Sequence, residues 1–177
     1  IERVKDFIHL TPNMTLTQTQ SIGTSFLSIR GMTQVRNSEM PVAVVVDDVQ
    51  QINARQFTQN LLDIESIEVI KGPQGALYGR NATGGAIVMR TRPPSEELSG
   101  LLRVGTGNGG RQHYQAGLSG PVNDELAFRV SALDTDFDGL IDNVYLDKEV
   151  DYFDESAFRG VLSYAPSDNI EMTLTGK

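Results

Sequence analysis

Between Ile67 and Thr91 the chain reads IEVIKGPQGALYGRNATGGAIVMRT, a short alternating apolar segment that breaks at five glycines and then resumes. Glycine reaches positive φ and lets one backbone approach another closely, so Gly72, Gly75, Gly79, Gly84 and Gly85 imply a compact, tightly folded connection. The pattern predicts two strands, Glu65–Lys71 and Gly85–Arg92, joined through it. Phosphate binding is the evident functional alternative, because the run from Gly79 to Gly84 has the glycine spacing of a P-loop. It fails on chemistry: Gly85 stands where the phosphate-gripping lysine belongs, and Ala86 where the magnesium-binding hydroxyl belongs. The run GTGNGG from Gly105 to Gly110 has the three glycines of a dinucleotide fingerprint, yet the residues after it alternate like a strand and open no helix. It reads as a turn between strands.

Composition narrows the classes further. With 39% hydrophobic and 21% charged residues over 177 positions the chain is that of a folded protein. The absence of cysteine excludes disulfide scaffolds, thiolate metal sites and cysteine nucleophiles. The two histidines, His9 and His113, lie far apart and read as surface or strand residues, with no second ligand at helical or hairpin spacing. A net charge of −8 argues against nucleic acid as a partner. From Asp124 onward there are 13 acidic and 4 basic residues, against 10 and 11 before it, so the acidity belongs to the second half. No apolar run is long enough for a transmembrane helix, and IERVKDFIHL lacks a signal peptide's apolar core. The expectation is either a protein that is not exported or a chain that begins after its signal.

The first ninety residues read as a small mixed unit: a helix near Glu2–His9 ended by Pro12, strands at Phe26–Arg30 and Pro41–Asp47, and a second helix at Ala54–Leu62, with Phe57, Leu61 and Leu62 on one side. PVAVVV is expected to be buried on both faces. Thr91-Arg92-Pro93-Pro94 stops regular structure and marks a boundary.

Beyond it the period changes to two. Leu98, Gly100, Leu102 and Val104 share a face opposite Ser99 and Arg103, and four more such strands come after: Tyr114, Ala116, Leu118; Leu126, Phe128, Val130, Ala132; Phe158, Leu162, Tyr164; and Ile170, Met172, Leu174. This is an antiparallel meander with one apolar and one polar face. Tight turns at Gly120–Asp124 and Ala165–Asn169 alternate with a long acidic loop, Asp134–Glu155, as in an outer-membrane barrel. A soluble β-sandwich shows the same alternation. Periodicity does not distinguish the two, and pattern alone favours the sandwich.

Several linked motifs carry a resemblance: Ser28-Ile-Arg-Gly31, Pro41-Val-Ala-Val-Val-Val-Asp-Asp-Val49, Leu62-Asp-Ile-Glu-Ser-Ile-Glu-Val-Ile-Lys-Gly-Pro73, Gly75-Ala-Leu-Tyr-Gly79 and Gly84-Gly-Ala-Ile87. In order and spacing they resemble the plug domain of TonB-dependent outer-membrane receptors, across the first ninety-two residues. The strands after Pro94 resemble that family's opening barrel strands. The resemblance implies an α+β plug domain, about four strands in a mixed sheet with short helices, over 1–92; a linker over 93–97; and the first five or so antiparallel transmembrane strands of a β-barrel over 98–177. In the family the plug sits in a barrel of about 22 strands. Five strands are too few to close, and a bare edge in a bilayer leaves backbone groups unsatisfied. The expectation is therefore part of a longer receptor. No partner-binding box is recognisable at the start.

The implied function is ligand-gated, energy-coupled import of a scarce solute such as an iron–siderophore complex across the bacterial outer membrane. Its partners would be a TonB-type energy-transducing protein, engaged through a segment not in this chain, outer-membrane lipid, and a small-molecule or metal-chelate substrate. No catalytic role and no cofactor are implied. Arg30 and Lys71 map to the family's lock between plug and barrel wall, with lysine where a forked arginine could bind two carboxylates. Met32–Met40 and Gln50–Arg55 map to the outward apices, where Gln34, Arg36, Asn37, Gln50, Gln51, Asn53 and Arg55 offer polar contacts. Arg36 there would attract an anionic or carboxylate-bearing solute. The five glycines read as structural.

One competing motif remains. Asp134, Asp136, Asp138, Gly139 and Asp142 hold the 1, 3, 5, 6 and 9 positions of an EF-hand loop, but Tyr145 occupies the twelfth, where a bidentate carboxylate is required. A calcium-dependent soluble β-rich binding domain is the alternative reading, and a phosphate-binding enzyme a more distant one. Asn13-Met-Thr and Asn81-Ala-Thr match the glycosylation triplet by chance.

Overall fold

The computed structural model describes residues 4–18, 25–34, 38–51, 61–145, 148–167 and 169–177. The chain divides into two compact units, Ile1–Arg92 and Pro93–Lys177.

In the first unit, helix α1 (Val4–Leu10) precedes three strands, β1 (Met14–Gln18), β2 (Ser25–Ile29) and β3 (Met32–Thr33), which form an antiparallel sheet. The helix ends where Pro12 cannot continue it, and the Thr11 hydroxyl donates to the Phe7 carbonyl at 2.8 Å. Of the expected Glu2–His9 helix, residues 1–3 lie outside the described residues. Arg30, the last residue of the strand expected at Phe26–Arg30, is not strand but forms a turn with Gly31. Both residues have positive φ (49° and 80°) and form the two-residue turn between β2 and β3. Such primed turns match the twist of the flanking strands.

Strands β4 (Val42–Val46), β5 (Val49–Gln51), β6 (Ile64–Lys71) and β7 (Gly85–Thr91) make a mixed sheet in the order β5-β4-β7-β6. β4 and β7 run parallel, and the other neighbours are antiparallel. Burial explains the continuous apolar reading of β4. Val42 and Val44 join Phe7, Ile8, Leu27, Ile29, Ile87 and Met89 in the main core. Ala43 packs with Ala82 and Ala86 in a second, smaller cluster. A central strand covered on both faces has no polar positions to alternate with. Asp47 and Asp48, again at positive φ, turn β4 into β5. The Asp47 carboxylate accepts from the Thr91 backbone N–H (2.8 Å) and hydroxyl (2.8 and 2.9 Å), tying this turn to the end of β7. The expected helix at Ala54–Leu62 falls, apart from Leu61 and Leu62, outside the described residues.

The second unit is an antiparallel meander of β8 (Ser99–Thr106), β9 (Gln112–Pro121), β10 (Leu126–Phe137), β13 (Phe153–Ser167) and β14 (Ile170–Gly176), in that spatial order, with β8 and β14 as open edges. Between β10 and β13 lies a short hairpin, β11 (Asp142–Asn143) and β12 (Lys148–Glu149). The long acidic loop is thus shorter than the expected Asp134–Glu155. Asp134, Thr135 and Asp136 pair in register with Ser156, Glu155 and Asp154, which leaves residues 138–152 as the connection.

Register fixes the two faces. Leu126, Tyr164 and Met172 lie side by side across three strands, as do Phe128, Leu162 and Leu174; Leu102, Ala116, Ala132 and Phe158 line up across four. The large members of this face are exposed, Leu102 at 78%, Phe158 at 61% and Leu174 at 69%. The other face holds polar side chains that are buried: His113, Ser119, Ser131, Thr135 and Arg159. A sandwich would have it the other way round. Along β10 the apolar side runs from Leu126 to Ala132, about 20 Å of strand, before Asp134 interrupts it. Tyr164 stands at one end of the band and Tyr114, beside Asp134, at the other.

Candidate functional site

The glycine segment is the scaffold of the site. From Gly72 the chain passes through helix α2 (Gly75–Tyr78) and returns at Gly84 to start β7. Gly72 donates its N–H to the Gly84 carbonyl (3.0 Å), Gln74 to Ala82 (2.8 Å) and Gly84 to Pro41 (2.7 Å), so the connection closes on itself and onto the start of β4. The five glycines do different things. A Cβ on Gly84 would stand 2.7 Å from Ile29 Cγ2 and 3.2 Å from the Pro41 oxygen, and one on Gly85 would collide with the Ile70 carbonyl. Gly72 and Gly79 are held at φ of 108° and 67°. Gly75 has open space around it and no such φ, so the structure gives it no steric role.

Around this scaffold two predicted solute-facing segments converge. Gln34 is buried; its Nε2 donates to the Ser38 carbonyl (3.2 Å), and its Oε1 has no partner among the described residues. Gln50 donates from Nε2 to the Arg80 carbonyl at 2.9 Å, and Gln51 to the Val49 carbonyl at 3.1 Å. Arg36, Asn37, Asn53 and Arg55 lie outside the described residues. Two residues that sequence reasoning passed over complete the arrangement: the Arg80 guanidinium meets the Glu39 carboxylate at 3.5 Å. Nothing local in the sequence pairs positions 39, 50 and 80. The available signal was that Arg80 is the one charged residue between Lys71 and Arg90.

Arg30 and Lys71 are neighbours at the start of the same glycine segment. The Arg30 guanidinium lies 3.8 Å from where a Gly72 Cβ would stand, and Lys71 Nζ donates to the Pro12 carbonyl at 2.9 Å.

The calcium candidate dissolves on geometry. Asp134 and Asp136 are extended strand residues paired on both sides, and Asp138 packs at Gly110 in the neighbouring turn. A chain in this conformation cannot wrap a cation as a twelve-residue loop does. Among the described residues no group of three or more His, Asp or Glu side chains is placed to hold a metal. His113 is a strand residue, as expected, but not a surface one: it is buried, with Nδ1 2.9 Å from the Thr135 hydroxyl.

An antiparallel sheet with exposed apolar and buried polar faces is the wall of an outer-membrane barrel, and the mixed unit before it is of the kind such barrels hold as a plug. Comparison with known proteins agrees. Residues 1–86 match the protein family described as TonB-dependent Receptor Plug Domain. The pesticin receptor of Yersinia pestis is 31% identical over 118 residues, which is 66% of this chain and 17% of the relative. The iron-regulated outer membrane virulence protein of Vibrio cholerae is 30% identical over 167 residues, 83% of this chain and 24% of the relative. Among solved structures, the ferric yersiniabactin uptake receptor FyuA of Yersinia pestis superposes with a TM-score of 0.86 at 27% identity, covering 94% of this chain and 27% of that one. The chain belongs to the TonB-dependent outer-membrane receptors, as plug domain and first barrel strands, and it spans 17% to 24% of the length of these two curated relatives.

Proposed function

We propose that the receptor containing this chain imports a scarce solute, such as an iron–siderophore complex, across the bacterial outer membrane, gated by that ligand and driven by a TonB-type energy-transducing protein that engages a segment not in this chain. The observation that carries the reading is the pairing of a plug-family unit with a sheet whose apolar side is exposed, a folded domain and a membrane wall in one chain. In this reading residues 1–92 are the plug, 93–97 the linker and 98–177 the opening barrel strands. Gln34, Gln50 and Gln51, with Arg36, Asn37, Asn53 and Arg55, contribute to the solute-facing apices. Arg30, exposed, and Lys71, half-buried, lock the plug to the wall, because a charge that the wall desolvates requires a partner and is costly without one. The family is one of transport receptors, and we assign no catalytic residue. The test is uptake of radioactive iron, offered as its chelates, by cells carrying the full-length receptor. Uptake should saturate, and should cease when the inner-membrane proton gradient is collapsed. Uptake that rises linearly with concentration and ignores the gradient describes a passive pore and removes the proposal.

A further inference from the structure

We infer that Arg80 reads negative charge on the solute, with Glu39 as its exchangeable resting counter-ion. This rests on the import reading above and names the substrate class for the same site, an anionic, oxygen-rich chelate. Three observations combine.

The backbone at Arg80 is fixed. Gly79 and Asn81 on either side are both at φ of 67°; Gly79 donates its N–H to the Gly75 carbonyl at 3.0 Å, and the Arg80 carbonyl accepts from Gln50 Nε2 at 2.9 Å. The side chain, in contrast, is open: the Arg80 and Glu39 side chains are 58% and 64% exposed, and their contact is a single one at 3.5 Å. An exposed ion pair of this kind contributes little, so little is lost when it breaks. A planar guanidinium released from it can take a carboxylate or similar anion through two parallel hydrogen bonds, a stronger arrangement than the one it leaves.

The third observation is position. Glu39 lies in the segment Met32–Met40, Gln50 opens the second apical segment, and Arg80 of the glycine loop touches both. An anion that draws the guanidinium from Glu39 therefore leaves the Arg80 backbone and its Gln50 contact in place, and residues 38–40 stay held by the Gln34–Ser38 bond and by Met40 in the core. Specificity arises from charge, and the binding event exchanges one partner of the guanidinium for another.

The experiment uses the full-length receptor, purified in detergent for calorimetric titration and expressed in cells for iron uptake. The probes are two ferric chelates of similar size: a tricatecholate, which is anionic, and a trihydroxamate, which is neutral. Arg80→Gln should weaken the anionic chelate at least tenfold and change the neutral one less than twofold. Arg80→Lys should recover part of the loss. Glu39→Gln should tighten the anionic chelate severalfold, a gain that a merely structural contact would not produce, and should have no effect once Arg80 is Gln. If wild type binds and imports a chelate but Arg80→Gln treats both as wild type does, the Arg80 inference alone is overturned. If wild type neither binds nor imports either one, the import reading fails and this inference falls with it.

Discussion

Replacing Gly84 with alanine tests whether the glycine segment acts by close packing. The added Cβ would lie 2.7 Å from Ile29 Cγ2, on a side chain that is 0% exposed and has no room to withdraw, and 3.2 Å from the Pro41 oxygen, which is backbone. Overpacking of this kind costs about 1–3 kcal/mol. Relief by shifting β7 would stretch the 2.7 Å bond from Gly84 N–H to Pro41, worth about 1 kcal/mol more. The sum is about 2–4 kcal/mol, and at tenfold per 1.4 kcal/mol this predicts a fall in amide protection of about thirtyfold to several hundredfold. The assay is hydrogen–deuterium exchange, by mass spectrometry, of detergent-solubilised full-length receptor, read on peptides covering β7 and β2. Gly75→Ala is the control, because nothing lies within 4 Å of its Cβ position. Reduced freedom of the unfolded chain should make it neutral or stabilising by up to about 1 kcal/mol. Equal effects of the two substitutions would refute the packing argument and leave only a general intolerance of the loop to side chains.

Three further outcomes are expected. Asp47→Ala removes the acceptor for the Thr91 N–H and hydroxyl and should loosen the end of β7 by about 1–2 kcal/mol, seen as faster exchange at Thr91, whereas Asp48→Gly, at φ of 64°, should slow it. Val130→Arg puts a charge on the exposed apolar face and should destabilise the receptor by about 2–4 kcal/mol near the bilayer midplane, measured by folding into lipid vesicles; Ser163→Arg, on the opposite face, should be tolerated far better. Asp151 accepts from the Ile141 and Leu140 N–H groups at 2.9 and 2.8 Å, and these bonds lower its carboxyl below the ordinary aspartate value of 3.8. A depressed carboxylate contributes stability above its unfolded value and loses it as pH falls through the folded one. Protection at Leu140 and Ile141 should therefore hold from pH 7 to about 5 and drop below about pH 4, while Asp151→Asn should lower it at neutral pH; a pH-independent profile in wild type would show that the carboxylate does not hold the loop.

Much of the architecture was written in local patterns. The double-sided burial of β4 stems from five consecutive apolar residues, each strand of the meander from its own alternation, and the tight connection of β6 to β7 from glycines that no other residue can replace at Gly84 and Gly85. Elements set by less than a local period were harder to see. β3 and β5 are short, and their pairing is decided by two-residue turns at Arg30-Gly31 and Asp47-Asp48 rather than by hydrophobicity. The acidic stretch after Leu133 read as a loop because carboxylates are uncommon in strands, yet Asp134 and Asp136 continue β10 past the apolar band into water-facing chain.

By itself the sequence determined that each strand after Pro94 has two unlike faces, and the order of its motifs pointed to the family. Only the tertiary structure decided which face is exposed. A period of two records that neighbouring side chains point to opposite sides of a strand, and it carries no information about what lies on either side. That Leu102, Phe158 and Leu174 are exposed while Ser119, Ser131 and Arg159 are buried is a property of the assembled sheet, and it separates a membrane wall from a soluble sandwich. The junction of Glu39, Gln50 and Arg80 has the same origin. Its members lie 30 and 41 positions from Arg80, brought together by backbone bonds of the glycine loop to Pro41 and by the β4–β5 turn, and no pattern in the chain links them before it folds.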